Sequence, residues 1–302
     1  MEELIDLQLM IFSLIAIGLI VKKIGMVGTA GQKNLTDLVV NLILPCNIIE
    51  SFMVKFSMDI ATDFAGIFII SLIIQAGCVL LGHLLFRNTT EGRRKCLRYG
   101  TICSNAGFMG NPLAEGVFGS MGLTLASVYL IPQRVMMWSE GITVFTEAPS
   151  KKALIKKVMT HPCILACIIG LFLMLTGLRP PAFANDVISA VGDCNTAVSM
   201  MVIGMILADA DPKTLLDKDI LFYTVLRLVI IPFLVWVPCR LLHLDSLVMG
   251  VSVLLAAMPA GATTTILAAQ YDGDSEFAVK LVVFSTAASL ITTPLWSILL
   301  LS

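Results

Sequence analysis

Charge is what this sequence has least of. Only 14% of its 302 residues are Asp, Glu, Lys or Arg, against about 25% in soluble globular domains. So few charges cannot cover a water-soluble fold of this length. With 57% hydrophobic residues and a mean hydropathy of +0.92, little polar surface is left to help. Lys+Arg is 20, Asp+Glu is 21 and the net charge is -1, which excludes a nucleic-acid-binding surface and a patch for acidic partners. The apolar content excludes a disordered chain. Chemical signatures are scarce too. GxxxxGK[ST], HExxH, GxSxG and an aspartate pair suited to intramembrane proteolysis are all missing, so neither ATP-driven transport in this chain nor enzymatic activity is expected. The 8 cysteines include no CxxC, and no His/Cys spacing suits a metal. They read as small apolar filler, and neither metal nor cofactor is expected.

What the chain does have is apolar runs near the 20 or so residues that a bilayer-spanning helix needs. Ten are expected, at Leu4–Val21, Leu35–Val54, Phe64–Phe86, Cys96–Phe118, Gly122–Phe145, Cys163–Leu178, Val187–Ala208, Ile220–Leu242, Leu247–Ala269 and Phe277–Leu301. The first is not expected to be a cleavable signal, since Glu2, Glu3 and Asp6 stand where a basic segment belongs. Basic residues crowd alternate loops, as at Lys22-Lys23, Arg93-Arg94-Lys95, Lys151-Lys152 and Lys156-Lys157, whereas the opposite loops hold Lys55, Arg179 and Arg240. The positive-inside rule then puts both termini outside the cytoplasm of a plasma-membrane, multi-pass protein. The longest polar connection, about 146–160, divides five spans from five. An odd number inverts the second half, so an all-α integral membrane fold with a 5+5 inverted repeat is expected, residues 1–146 and 159–302.

Two spans in matching places are interrupted. The fourth contains Asn105, Gly107, Gly110, Asn111 and Pro112; the ninth contains Pro259, Gly261 and the run Thr263-Thr264-Thr265. Proline lacks an N–H and frees a carbonyl in the preceding turn. Freed backbone is tolerated at bilayer depth only inside protein or along a wet cavity. Paired interruptions point to a transporter binding site whose half-helix N-termini favour an anion. Close helix packing by small residues is the competing explanation.

The string Ser104-Asn105-Ala106-Gly107-Phe108-Met109-Gly110-Asn111-Pro112-Leu113 with Val117-Phe118-Gly119 resembles the fourth-span signature of the auxin efflux carrier family. Met258-Pro259-Ala260-Gly261, the loop from Ala268 to Asp274, Ser289 to Leu295, Arg227 with Pro232, and Gly204 to Ala208 also match it. The plant exporters' long central loop is absent, as in prokaryotic members. The resemblance implies a fold shared with bile-acid sodium symporters. Spans one, two, six and seven (residues 1–56 and 161–210) would be a scaffold that forms a homodimer. The rest (61–146 and 219–302) would be a transport domain moving like an elevator, with broken helices four and nine crossing. Asn105, Pro112 and Pro259 would line that crossing and receive a substrate carboxylate.

The candidate substrate-binding residues are therefore Ser104, Asn105, Asn111, Pro112, Pro259, Gly261, Thr263 and Thr264, with Asn41 in span two facing Asn195 of span seven if those spans are counterparts. Ionisable residues within spans are costly and often functional. Glu115 and Glu140 are candidate coupling residues for H⁺, with Na⁺ the lesser choice, and Arg227 or Arg134 would attract the anion. Gln270, Asp272 and Asp274 read as a solvated acidic turn rather than a cation site. The expected function is secondary transport of a small organic anion such as malate or malonate, or an indole-type acid. A ligand-binding sensor without net transport is the alternative.

Overall fold

A computed structural model describes residues 2–53, 56–145, 150–208, 217–271 and 273–301, and every regular element among them is a helix. The first half comprises α1 (Glu2–Lys23), α2 (Thr29–Leu38), α3 (Leu44–Ser51), α4 (Met58–Leu85), α5 (Glu91–Ile102), α6 (Asn111–Trp138) and α7 (Glu140–Thr143). There follow α8 (Lys151–Met159), α9 (Pro162–Thr176), α10 (Ala182–Gly192), α11 (Cys194–Ala208), α12 (Lys218–Val225), α13 (Ile231–Leu241), α14 (Ser246–Ala256), α15 (Thr263–Gln270) and α16 (Ser275–Leu301).

Short polar side chains set several helix starts by satisfying orphan N–H groups. Ser57 accepts from Ile60 N at α4, Asp217 from Asp219 N at α12, and Asp245 from Leu247 N and Val248 N at α14. Among the described residues three π turns, Val39–Ile43, Ala106–Gly110 and Leu226–Ile230, each stand just before a proline: Pro45, Pro112 and Pro232. The proline ring crowds the carbonyl of the turn before it, and widening that turn relieves the crowding. Inside α6 the chain breaks at Gly119, whose φ of 70° and ψ of -166° suit glycine alone. This break falls in the gap expected between the fourth and fifth apolar runs.

Among the described residues five stretches are long and apolar enough to cross a membrane: Met58–Leu85, Ala106–Met137, Ala182–Ala208, Lys218–Leu241 and Ser275–Leu301. The first expected span is the 22-residue α1, and others are shorter or divided. Apolar α9 has 15 residues; the ninth run splits into α14, of 11, and α15, of 8. The fifth run was expected to reach Phe145, but α6 ends at Trp138 because Ser139 leaves helical geometry (φ -102°, ψ -94°). Glu140 consequently lies in the separate turn α7 rather than within a span.

At the centre is α14, buried on all sides from Val248 to Ala256. At another contact α1 and α11 approach with no room for side chains. A Cβ on Gly18 would lie 1.9 Å from Met201 O, and one on Gly204 would lie 1.9 Å from Ile15 O.

Candidate functional site

The two interrupted segments meet. α5 ends at Ile102 and α14 at Ala256, and the extended residues that follow pair antiparallel, Ser104 opposite Ala260. Asn105 N donates to Pro259 O at 2.8 Å and Gly261 N to Cys103 O at 3.0 Å. Gly261 must be glycine at so close an approach, because a Cβ there would stand 2.9 Å from Cys103 O.

A buried carbonyl without a donor costs about 1–3 kcal/mol, so the freed carbonyls demand partners. Tyr223 OH donates to Gly100 O at 2.7 Å, and Gln133 Nε2 to Ser104 O at 2.9 Å. Arg227 serves both breaks: Nε donates to Met258 O at 2.9 Å, and Nη1 to Thr101 O at 3.3 Å and to Cys78 Sγ at 3.6 Å. Its guanidinium, 1% exposed, therefore lies between the C-terminal ends of α5 and α14. Those ends carry partial negative charge, so the cation is matched without a carboxylate. Ala260 N finds Ser285 Oγ at 3.3 Å.

The expected residues fall into groups. Ser104, Asn105, Pro259 and Gly261 make the pair itself. The Asn105 side chain is half-buried and makes no hydrogen bond among the described residues. Asn111 and Pro112 open α6, and both polar atoms of the fully buried Asn111 side chain lack a partner. Thr263 and Thr264 open α15, with Thr264 Oγ1 buried and unpartnered. Thr265 Oγ1 bonds back to Ala262 O, as hydroxyls in helices commonly do.

Asn41 is not with them. It is exposed, and its Nδ2 donates to Asp37 O one turn back. The residue that meets Asn195 is Asn47: Asn195 Nδ2 donates to Asn47 Oδ1 at 3.0 Å, and Ser199 Oγ to Asn195 Oδ1 at 3.2 Å. Asn47 Nδ2 in turn reaches Glu115 Oε1 at 3.3 Å. A polar chain thus runs from α11 through α3 to α6. Beside it Ser189 Oγ donates to Glu50 Oε1.

Glu140 is elsewhere too, 3.0 Å from His83 Nε2, with Arg98 Nη2 2.8 Å from His83 Nδ1. Asp274 caps α16 through Phe277 N and faces Arg93 Nε at 3.5 Å, so it is an anchored cap and not a freely solvated residue. Asp272 lies outside the described residues. Sequence reasoning missed Asn47, Gln133, Tyr223 and Ser285. Tyr223 and Arg227 are four apart and Gln133 adjoins Arg134, so one helix face and one polar pair were the available signals.

Comparison with known proteins matches residues 4–297 to the family described as membrane transport protein. The chain belongs to this family, that of the auxin efflux carriers. An uncharacterized transporter of Methanothermobacter thermautotrophicus is 26% identical over 298 residues, 97% of each chain. One of Methanocaldococcus jannaschii is 23% identical over 98% of this chain and 99% of its own. The uncharacterized transporter YfdV of Escherichia coli is 22% identical over 86% of this chain and 85% of its own. With several apolar helices besides, this auxin efflux carrier family member is a multi-pass membrane transport protein.

Proposed function

We propose that the protein is a secondary carrier of small organic anions such as malate or malonate, which bind where the two interrupted helices cross. One observation carries the reading. Four helix ends meet at the crossing, and Arg227 matches only the two C-terminal ones. The N-terminal ends opening toward α6 and α15 remain, beside the unpartnered side chains of Asn105 and Asn111. Positive helix ends select an anion. In this reading the chain is a 5+5 inverted repeat. Helices α1 to α3 and α9 to α11 are a dimerising scaffold, and the remainder moves against it in an elevator motion. The Asn47–Glu115 contact then spans the sliding boundary, and Glu115 is the coupling residue for H⁺.

Asn105→Ala is expected to abolish malonate uptake into proteoliposomes and malonate-induced thermal stabilisation, while the protein stays folded. Uptake at the wild-type rate by that variant rules out the crossing as the site. Glu115→Gln is expected to keep exchange of malonate but remove its acceleration by an imposed pH gradient. A gradient response equal to wild type would exclude Glu115 as the proton carrier.

A further inference from the structure

The helix between the two halves is strongly basic. α8 reads Lys-Lys-Ala-Leu-Ile-Lys-Lys-Val-Met, four lysines in nine residues with no acid. Ser150 caps it by accepting from Ala153 N at 3.3 Å, it packs on α6 and α9, and Val158 is buried. Lys152, Ile155, Lys156 and Met159 stand at i, i+3, i+4 and i+7, so they share one face. All four are exposed, Ile155 by 62% and Met159 by 47%. Neither lysine pairs with a carboxylate among the described residues. Two apolar side chains one turn apart, alternating with unpaired lysines, are the composition of a helix that lies at a bilayer surface.

Met159 has a second place in the fold. With Phe52, Phe64, Val128 and Ile164 it lines an apolar cavity of about 460 Å³. From Met159 the lining continues along α9 through Ile164 and Ile168, so the lysines lie one and two turns beyond one end of the cavity. Phe68 and Ile168 also line it and are themselves exposed. The cavity therefore opens on the apolar outside of the bundle, where acyl chains lie in a membrane protein. Charge selects the occupant. A neutral chain would fill the cavity but leave the lysines unanswered, and a free anion would answer the lysines but not fill the cavity. A phospholipid with an anionic headgroup does both.

We infer that α8 and this cavity bind one anionic phospholipid, with its headgroup on Lys152 and Lys156 and an acyl chain running past Met159 into the cavity. By the positive-inside rule the lysines belong to the cytoplasmic side, the leaflet that carries anionic lipid. The site is separate from the crossing and takes no part in choosing the substrate. Its walls are α4 and α6 on one side, and α9 with Phe52 on the other. In the carrier reading these are the two parts that slide past each other, but binding of the lipid does not depend on that reading.

The test is native mass spectrometry of the detergent-purified protein titrated with phosphatidylglycerol or phosphatidylcholine, which counts bound lipids as well as ranking them. One phosphatidylglycerol per chain is expected to bind ahead of phosphatidylcholine, and inorganic phosphate, which has no chain, is expected not to displace it. The double variant Lys152→Gln, Lys156→Gln is expected to weaken phosphatidylglycerol about 30-fold, the combined worth of two lysines beside a charged headgroup, and to leave phosphatidylcholine unchanged. Ala65→Phe, which intrudes on the cavity from an exposed position, is expected to weaken both lipids alike. Both variants change exposed side chains, so folding is expected to survive. A lysine variant that keeps the wild-type preference for phosphatidylglycerol, or an Ala65→Phe protein that binds it as tightly as wild type, would overturn the assignment. So would two retained lipids of which each variant removes one, since headgroup and chain would then belong to different sites. An Ala65→Phe protein that is monomeric where wild type is dimeric would mean that a second copy of the chain covers the cavity, and would overturn it as well.

Discussion

Arg227→Met is expected to cost on the order of 3–5 kcal/mol, enough to erase much of the stability of a protein of this kind. The side chain is 1% exposed and is held by Met258 O, Thr101 O and Cys78 Sγ. Methionine fills much of the space but donates nothing. Two carbonyls at the broken helix ends then lose their donors, each at about 1–3 kcal/mol, and the two negative helix ends lose the charge between them. Arg227→Lys keeps the charge but cannot reach two carbonyls with one planar fork, so an intermediate loss is expected. Thermal unfolding in detergent, followed by monodispersity on gel filtration, reads the series. A methionine variant as stable as wild type would mean that Arg227 does not hold the two breaks together.

Gly204→Ala carries the second large effect, and its sign runs against the ordinary rule. Alanine in a helix is usually better than glycine by about 1 kcal/mol. At Gly204, however, the added Cβ would sit 1.9 Å from Ile15 O and 2.8 Å from Leu19 N. Both atoms are backbone, so no rotamer change relieves the overlap, and α1 must shift off α11. A loss of more than about 3 kcal/mol is expected, at or beyond the usual cost of overpacking. Gly77→Ala on α4 is the control. Nothing lies within 4 Å of its Cβ position, so it is expected to be neutral or slightly stabilising. If both variants melt together, the contact between α1 and α11 is not so tight.

The paired breaks were legible because their cause is local. Pro112, Pro259 and the flanking glycines weaken a helix wherever they stand, which marked both segments, although the helix runs on through Pro112 and the break itself lies before Ala106. What satisfies the freed carbonyls was not legible. Gln133, Tyr223 and Ser285 come from three other helices, and only the packing of those helices brings their donors to Ser104 O, Gly100 O and Ala260 N. The role of Arg227 was hidden for the same reason. A buried arginine reads equally well as an anion ligand or as a cap, and the carbonyls around it decide. Asn47, six residues after Asn41, was not picked out at all, because nothing in the apolar pattern marks it. The π turn at Val39–Ile43 lies between α2 and α3 and shifts which face each asparagine occupies.

That turn has a wider consequence. One residue more than an α-helix requires advances everything after it by about 100° around the axis. The π turns at Val39–Ile43 and Ala106–Gly110 lie just before the helices that carry Asn47 and Glu115. The contact between those two side chains thus depends on two rotational phases set upstream of them. Removing a single residue from either turn would leave composition and hydropathy almost unchanged while swinging one partner away, so in this protein the aim of a side chain is encoded in chain length as much as in residue type.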